Sequence, residues 1–162
     1  MKRIGIRRED KSPFERRAAL TPVHVRRATD ELGLEVFVQP SPIRVFEDQE
    51  YVDAGATLAE DLSTCDMVLG VKEIPAELLQ EGKAYTFFSH TVKGQDYNME
   101  MLRTLLSRGC TLVDYERIVD ERGRRLVFFG YYAGLAGMLD SLWAFGQRAL
   151  ADGIDSPFSA LK

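Results

Sequence analysis

Cysteine is scarce in this chain, and its scarcity excludes two chemistries. Cys65 and Cys110 are the only cysteines, and they show no CxxC spacing. A zinc site is unsupported, and so is the disulfide framework of a small secreted domain. Each lies near an apolar segment and is expected to be a small buried residue. A long uninterrupted apolar run is also missing. The start, Met1-Lys2-Arg3-Ile4-Gly5-Ile6, is too short and too charged for a signal peptide. The most apolar stretch, Phe128 to Leu150, is broken by Asp140, Gln147 and Arg148, so it reads as a buried helix and not a membrane span. An excess of positive charge is missing too. The net charge is −4, which leaves no general field for nucleic acid or an anionic membrane. Most of the arginine pairs Arg7-Arg8, Arg16-Arg17, Arg26-Arg27 and Arg124-Arg125 read as solvated faces. A reducing, cytoplasmic setting is the expectation.

Motif chemistry is equally sparse. There is no GxGxxG after a strand, no GxxxxGKS/T loop, no HExxH, no GxSxG and no paired-aspartate metal motif. Neither a metal site nor a cofactor-binding residue is therefore expected within these residues. Gly130, Gly134 and Gly137 have the wrong order for a nucleotide fingerprint; they are expected to let the last helix pack closely on a neighbour.

What is present is alternation. Lys2–Arg7 reads as a strand with Ile4 and Ile6 on one face, followed by a charged loop to Leu20. Thr21-Pro22 reads as an N-cap and first helical position, with Val25, Ala28 and Leu32 inward and Gly33 as the stop. Leu34–Val38 is a second strand, and Gln49–Ala54 a short helix closed by Gly55. Met67–Val71 has the apolar continuity of a strand buried on both faces. Pro75–Gln80 is a helical turn or two, and Tyr85–Phe88 another strand. Asn98 is expected to cap a helix with Met101, Leu102, Leu105 and Leu106 inward, ended by Gly109. Thr111–Asp114 is a strand, and Glu116–Val119 with Arg124–Phe129 reads as a small β-hairpin around Asp120–Gly123. A long helix, Tyr131 to Leu150, follows, and 152–162 looks like a linker. Alternating strands and helices predict an α/β domain with a doubly wound, mainly parallel sheet over residues 1–150.

In such a sheet ligands bind beyond the carboxyl ends of the strands. The residues that follow the predicted strands are Arg16 and Arg17; Lys72 and Glu73; Ser89, His90, Thr91 and Lys93; and Asp114, Tyr115 and Glu116. A guanidinium grips a carboxylate through paired hydrogen bonds, and a histidine passes protons near neutral pH. A lysine crowded by cations or apolar walls joins in, and a carboxylate nearby opposes that. Singly, His90 reads as a loop residue, Lys72 as a solvated strand end and Arg17 as a surface arginine. Together they suit a small anionic substrate and proton transfer. His24, between Val23 and Val25, reads as structural.

The segments Ile4-Gly5-Ile6-Arg7-Arg8-Glu9, Glu15-Arg16-Arg17-Ala18-Ala19-Leu20-Thr21-Pro22 and Gly70-Val71-Lys72-Glu73 resemble the N-terminal domain of alanine dehydrogenases and transhydrogenases. Phe87-Phe88-Ser89-His90-Thr91-Val92-Lys93, Asp114-Tyr115-Glu116 and the run from Gly123 to Gly134 resemble lysine–2-oxoglutarate reductases and saccharopine dehydrogenases more narrowly. The arginine-pair hairpin and the His90-Thr91-Val92-Lys93 segment argue against an alanine-dehydrogenase-like half, and a non-catalytic domain keeping the fold is the other alternative. The resemblance implies a Rossmann-like or flavodoxin-like fold. It also implies the substrate-side half of an oxidoreductase that interconverts lysine plus 2-oxoglutarate with saccharopine. Lys72 and His90 would be the acid–base pair and Arg17 would bind substrate carboxylate. Lys93, Glu116 and Arg125 would line the site, with Glu116 tuning Lys72. NAD or NADP would be bound mainly by a nucleotide-binding domain of the same or a partner chain. Residues 151–162 would begin the linker to it, and the substrate-side half alone would be inactive.

Overall fold

The structure, a computed structural model, describes residues 2–161. They form two compact units that divide between Leu126 and Val127. The first carries a six-stranded sheet of β1 (Arg3–Ile6), β2 (Glu35–Val38), β3 (Thr57–Leu58), β4 (Met67–Leu69), β5 (Ala84–Phe87) and β6 (Thr111–Asp114). The order is β3-β2-β1-β4-β5-β6 and every pairing is parallel. The chain winds outward from β1 to β3 and then returns to β4 on the other side. The reversal between β1 and β4 is the topological switch point of the sheet.

Side-chain alternation along β1 divides the core in two. Ile4 and Ile6 join Val36, Val38 and the helices α1 (Pro22–Leu32) and α2 (Asp48–Asp53) on one face. On the other, Val68, Tyr85 and Phe87 meet α3 (Asp96–Ser107) through Met101 and Leu105. Gly5 points to this second face, where an added Cβ would sit 3.0 Å from a Leu62 methyl and 3.2 Å from Cys65 Sγ. Residue 5 is thus held to glycine by the Leu62 loop packed on it. Cys65 is buried as expected, while Cys110 is half-buried and donates to the Gln80 carbonyl.

α1 begins and ends as the sequence reading has it. Thr21 Oγ1 accepts from the His24 amide, Pro22 occupies the first turn, and Gly33 closes the helix at φ 63°. The Gly33 and Leu34 amides return to the carbonyls of Thr29 and Ala28. His24 is structural: its ring Nδ1 lies 3.1 Å from the Thr21 hydroxyl. Leu32, expected inward, is exposed, because the cluster that covers Val25 and Ala28 does not reach the last turn.

Other elements depart from expectation for local reasons. The two-residue strand β3 was not foreseen; both residues are exposed at the sheet edge, and so short a run carries no periodic signal. β4 ends at Leu69, two residues early. α3 starts at Asp96 with Gln95 at its N-cap, so Asn98 lies inside the first turn and its amide instead donates to the Ser89 carbonyl. Leu106 is exposed, since Met101 and Leu105 already fill the buried stripe. The hairpin shrinks to the single antiparallel bridge Val119↔Arg125. Its first arm is shortened because Glu116 belongs to a 3-10 turn, Tyr115–Arg117. The Asp120 carboxylate holds the bend by accepting from the amides of Arg122 and Arg124. Of the arginine pairs, Arg7 is not solvated. It is buried, pairs with Asp10 at 2.6 Å, and packs so close that a Cβ on Gly70 would lie 3.2 Å from its Cδ.

The second unit contains α4 (Gly130–Ala151) and a 3-10 turn, Pro157–Ala160. The expectation of a buried helix is not met: Gly146 is the one residue of α4 that is buried. Gly134 and Gly137 have open space where a Cβ would be, so they serve no close contact among the described residues. The close contact is at Gly146, where a Cβ would lie 2.3 Å from the Ser159 amide and 2.4 Å from the Phe158 carbonyl carbon. Gln147 donates to the Ser159 carbonyl at 3.0 Å, and Phe145 and Phe158 meet edge-on. Among the described residues, no helix is long and apolar enough to cross a membrane.

Gly146→Ala should release the Pro157–Ala160 turn from α4, because backbone atoms at 2.3–2.4 Å cannot yield as a flexible side chain would. Hydrogen exchange at the Ser159 and Leu161 amides should speed up in this variant and stay unchanged in Gly134→Ala.

Candidate active site

Because all strands are parallel, their carboxyl ends share one edge, from which the chain leaves six times. Four of these departures carry residues singled out by the sequence: 7–21 after β1, 70–75 after β4, 88–95 after β5 and 115–118 after β6. In the strand order seen here, the connection from β1 to its helix is where a dinucleotide's pyrophosphate is usually held, against a glycine-rich turn. This connection, Arg7 to Thr21, contains no glycine. Charged side chains occupy it, so the residues present do not fit that group. Among the described residues no cluster of His, Cys, Asp and Glu fits a metal ion.

Glu9 spans the switch point. Its Oε1 accepts from the Val71 amide at 2.7 Å and its Oε2 from the Lys72 amide at 3.0 Å, tying the end of β1 to the residues after β4. Burial raises its pKa, against the opposing pull of those two amides and of Arg7. The chain at Lys72 is thus fixed from below. Its ammonium, by contrast, has no hydrogen-bond acceptor among the described residues; its charge helps to lower the pKa of Glu15.

Glu15 is buried and takes a forked grip from Arg17, Nε to Oε1 at 2.7 Å and Nη2 to Oε2 at 2.6 Å. That hydrogen bonding, working against burial, sets the lowered pKa of Glu15. Arg17 is thereby oriented, with its side chain still 42% exposed.

The densest set centres on Glu116. Its Oε2 lies 3.1 Å from His90 Nδ1, and its Oε1 lies 3.1 Å from Lys93 Nζ and 3.4 Å from Arg125 Nη2. Burial disfavours the Glu116 charge, but hydrogen bonds from Lys93 and His90 prevail and the pKa falls. Lys93 Nζ also lies 2.9 Å from His90 Nδ1. Only one of these two partners can be served at a time. A protonated Nδ1 donates to Glu116, whereas a bare Nδ1 accepts from Lys93. The ring is held in either tautomer, and its Nε2 has no hydrogen-bond partner among the described residues. Next to this set, Glu73 is buried against Lys11 at 2.7 Å and feels the charge of His90. It also lines a cleft of about 370 Å³ with Lys11, Tyr97, Asn98 and Met101.

The structure thus gathers His90, Lys93, Glu116 and Arg125 into one contact network. Arg17 and Lys72 belong to a second group, organised by Glu15 and Glu9. The charge of Lys72 acts on Glu15. Sequence reasoning gave no role to Glu9 or Glu15. Both lie in a charged loop that reads as solvated, and the amides that meet Glu9 lie some sixty residues further along the chain.

These pKa shifts set how stability depends on acid. Glu15, Glu73 and Glu116 are lowered, so what they contribute is complete above the ordinary carboxyl range and is lost as pH falls through their lowered values. Glu9 is raised and works in the opposite sense. Glu116→Gln should therefore flatten the acid side of the denaturation-midpoint profile, and Glu9→Gln should steepen it. Urea titrations across the acidic range test both.

Residues 5–136 match the family described as alanine dehydrogenase/PNT, N-terminal domain. The rat mitochondrial alpha-aminoadipic semialdehyde synthase is 47% identical over 158 residues, covering 98% of this chain and 17% of that protein. The NAD(+), L-lysine-forming saccharopine dehydrogenase of Yarrowia lipolytica is 40% identical over 152 residues, covering 90% of this chain and 41% of that one. The chain therefore spans well under half the length of either relative. Among solved structures, an L-alanine dehydrogenase superposes with a TM-score of 0.62 at 26% identity, over 75% of this chain and 34% of its own. With the parallel sheet and the matched residues in agreement, the chain belongs to the alanine dehydrogenase/PNT N-terminal domain family.

Proposed function

We propose that this chain is the substrate-binding and acid–base half of a saccharopine-type, NAD(P)-dependent amino-acid oxidoreductase, and that it is inactive without a nucleotide-binding domain. The observation that carries the reading is the His90–Glu116–Lys93 set, with Nε2 open, at a carboxyl edge whose first loop has no glycine to receive a dinucleotide. The similarity to saccharopine-type enzymes supports the substrate class.

The chemistry asks for what these residues offer. Joining the ε-amine of lysine to the ketone of 2-oxoglutarate expels water and leaves an imine, whose reduction gives the secondary amine of saccharopine. Each step moves a proton. His90 Nε2 and the Lys72 ammonium are the groups we assign to that traffic. Arg17, aimed by Glu15, meets a substrate carboxylate, and Lys93 and Arg125 keep the edge cationic for a multiply charged acid. The hydride belongs to NAD or NADP on the other domain. We assign the domain itself to residues 1–150, with the linker beginning at 151.

Joined to a nucleotide-binding domain of its family, the chain should turn over lysine and 2-oxoglutarate, or saccharopine in reverse. His90→Gln and Lys72→Met should each lower kcat by about 10²–10⁴-fold, the usual contribution of a general acid or base. Arg17→Ala should mainly raise KM for the carboxylate substrate. The isolated chain should show no turnover. An unchanged kcat in both the His90 and Lys72 variants removes the acid–base assignment, and turnover of alanine in place of saccharopine replaces the substrate class.

A further inference from the structure

His90 is the one non-glycine residue with positive φ among the described residues, at 54°. A side chain in the left-handed region costs on the order of 1 kcal/mol, and the conformation persists only where neighbours impose it. The neighbours here are buried and polar. Ser89 is fully buried. Its hydroxyl donates to Asp114 Oδ2, which leaves two lone pairs. Those are taken by the Thr91 amide at 3.2 Å and the Thr91 hydroxyl at 2.8 Å. The Ser89 carbonyl accepts from Asn98 Nδ2 at 3.0 Å. The chain is therefore held on both sides of His90, and the left-handed turn is what joins the two held residues.

Asp114 does a second thing with its other oxygen. Oδ1 accepts from the Glu116 amide at 2.8 Å, a turn closed by a side chain two residues back. One buried carboxylate thus grips two turns, one with His90 at its centre and one ending at Glu116. The turns leave neighbouring parallel strands, whose last paired residues are Phe87 and Asp114 itself.

We infer that Asp114, acting through Ser89, is the positioning residue that sets His90 against Glu116. Neither Asp114 nor Ser89 touches the reacting atoms in this assignment. They fix the separation at which the imidazole and the carboxylate meet. The inference rests on the reading of His90 and Glu116 as site residues.

The test reads the Glu116 carboxyl directly, by carbon-detected NMR titration of the whole chain without substrate. The groups facing Glu116 are His90, Lys93 and Arg125, and His90 in turn faces Glu73, which is paired with Lys11. Ser89→Ala cuts the link on the His90 side alone, and Asp114→Ala cuts both. In each variant the Glu116 midpoint should move up toward the ordinary carboxyl range as its contact with His90 loosens. The Glu73 midpoint, held by Lys11 with a smaller contribution from His90, should move less. A folded Ser89→Ala protein whose Glu116 midpoint does not move overturns the assignment, whether or not Asp114→Ala folds. No turnover enters this measurement, so the positioning role and the proposed reaction fail separately.

Discussion

A parallel sheet leaves backbone amides without partners just past its carboxyl edge, where the chain departs and no neighbouring strand continues. Buried, each such amide costs free energy comparable to a lost hydrogen bond. This protein satisfies several of them with side chains that are themselves buried. Glu9 takes the amides of Val71 and Lys72, Asp114 takes that of Glu116, and Ser89 takes that of Thr91. The residues proposed to do chemistry sit on, or next to, the backbone held in this way. The arrangement of the candidate site follows from how the sheet's own end is closed.

The charges follow the same logic. A buried carboxylate is tolerable when it is paired or well hydrogen-bonded. Glu15, Glu73 and Glu116 each have a cation from a loop, Arg17, Lys11 and Lys93 respectively, at 2.6–3.1 Å. Glu9 has amides and, among the described residues, no ion pair, and it is the one of the four whose pKa rises. The edge thus presents cations outward over a floor of carboxylates. The cations are oriented by their carboxylate partners and stay about half exposed.

How much of this was legible in the sequence depended on whether the signal was local. Thr21, Pro22 and Gly33 mark α1 because capping is chemistry within one turn of chain. The apolar strands mark the parallel sheet because burial on both faces removes alternation. The placement of Lys72, His90 and Glu116 at strand ends could be read from the same marks. The role of Asn98 could not: an asparagine before a helical pattern is a good cap, and only the neighbouring Ser89 carbonyl draws it elsewhere. Burial of Glu9 was illegible for the same reason, since the amides it meets, those of Val71 and Lys72, come from another segment. α4 failed in the other direction. Its composition is that of a core helix, yet its side chains are exposed among the described residues. Composition reports what a surface prefers to meet, and says nothing about which residues meet it.

The left-handed backbone at His90 has a consequence for dissecting this edge. Most residues introduced there keep the penalty that the imidazole-bearing residue already pays, and β-branched ones add to it. Glycine alone relieves it, because it enters the left-handed region freely. Removing the imidazole as His90→Gly leaves the turn that Ser89 and Thr91 enclose unstrained, and it opens a ring-sized hollow beside Glu116 and Lys93. The site is in that sense pre-shaped for chemical complementation, in which free imidazole from solution stands in for the missing side chain.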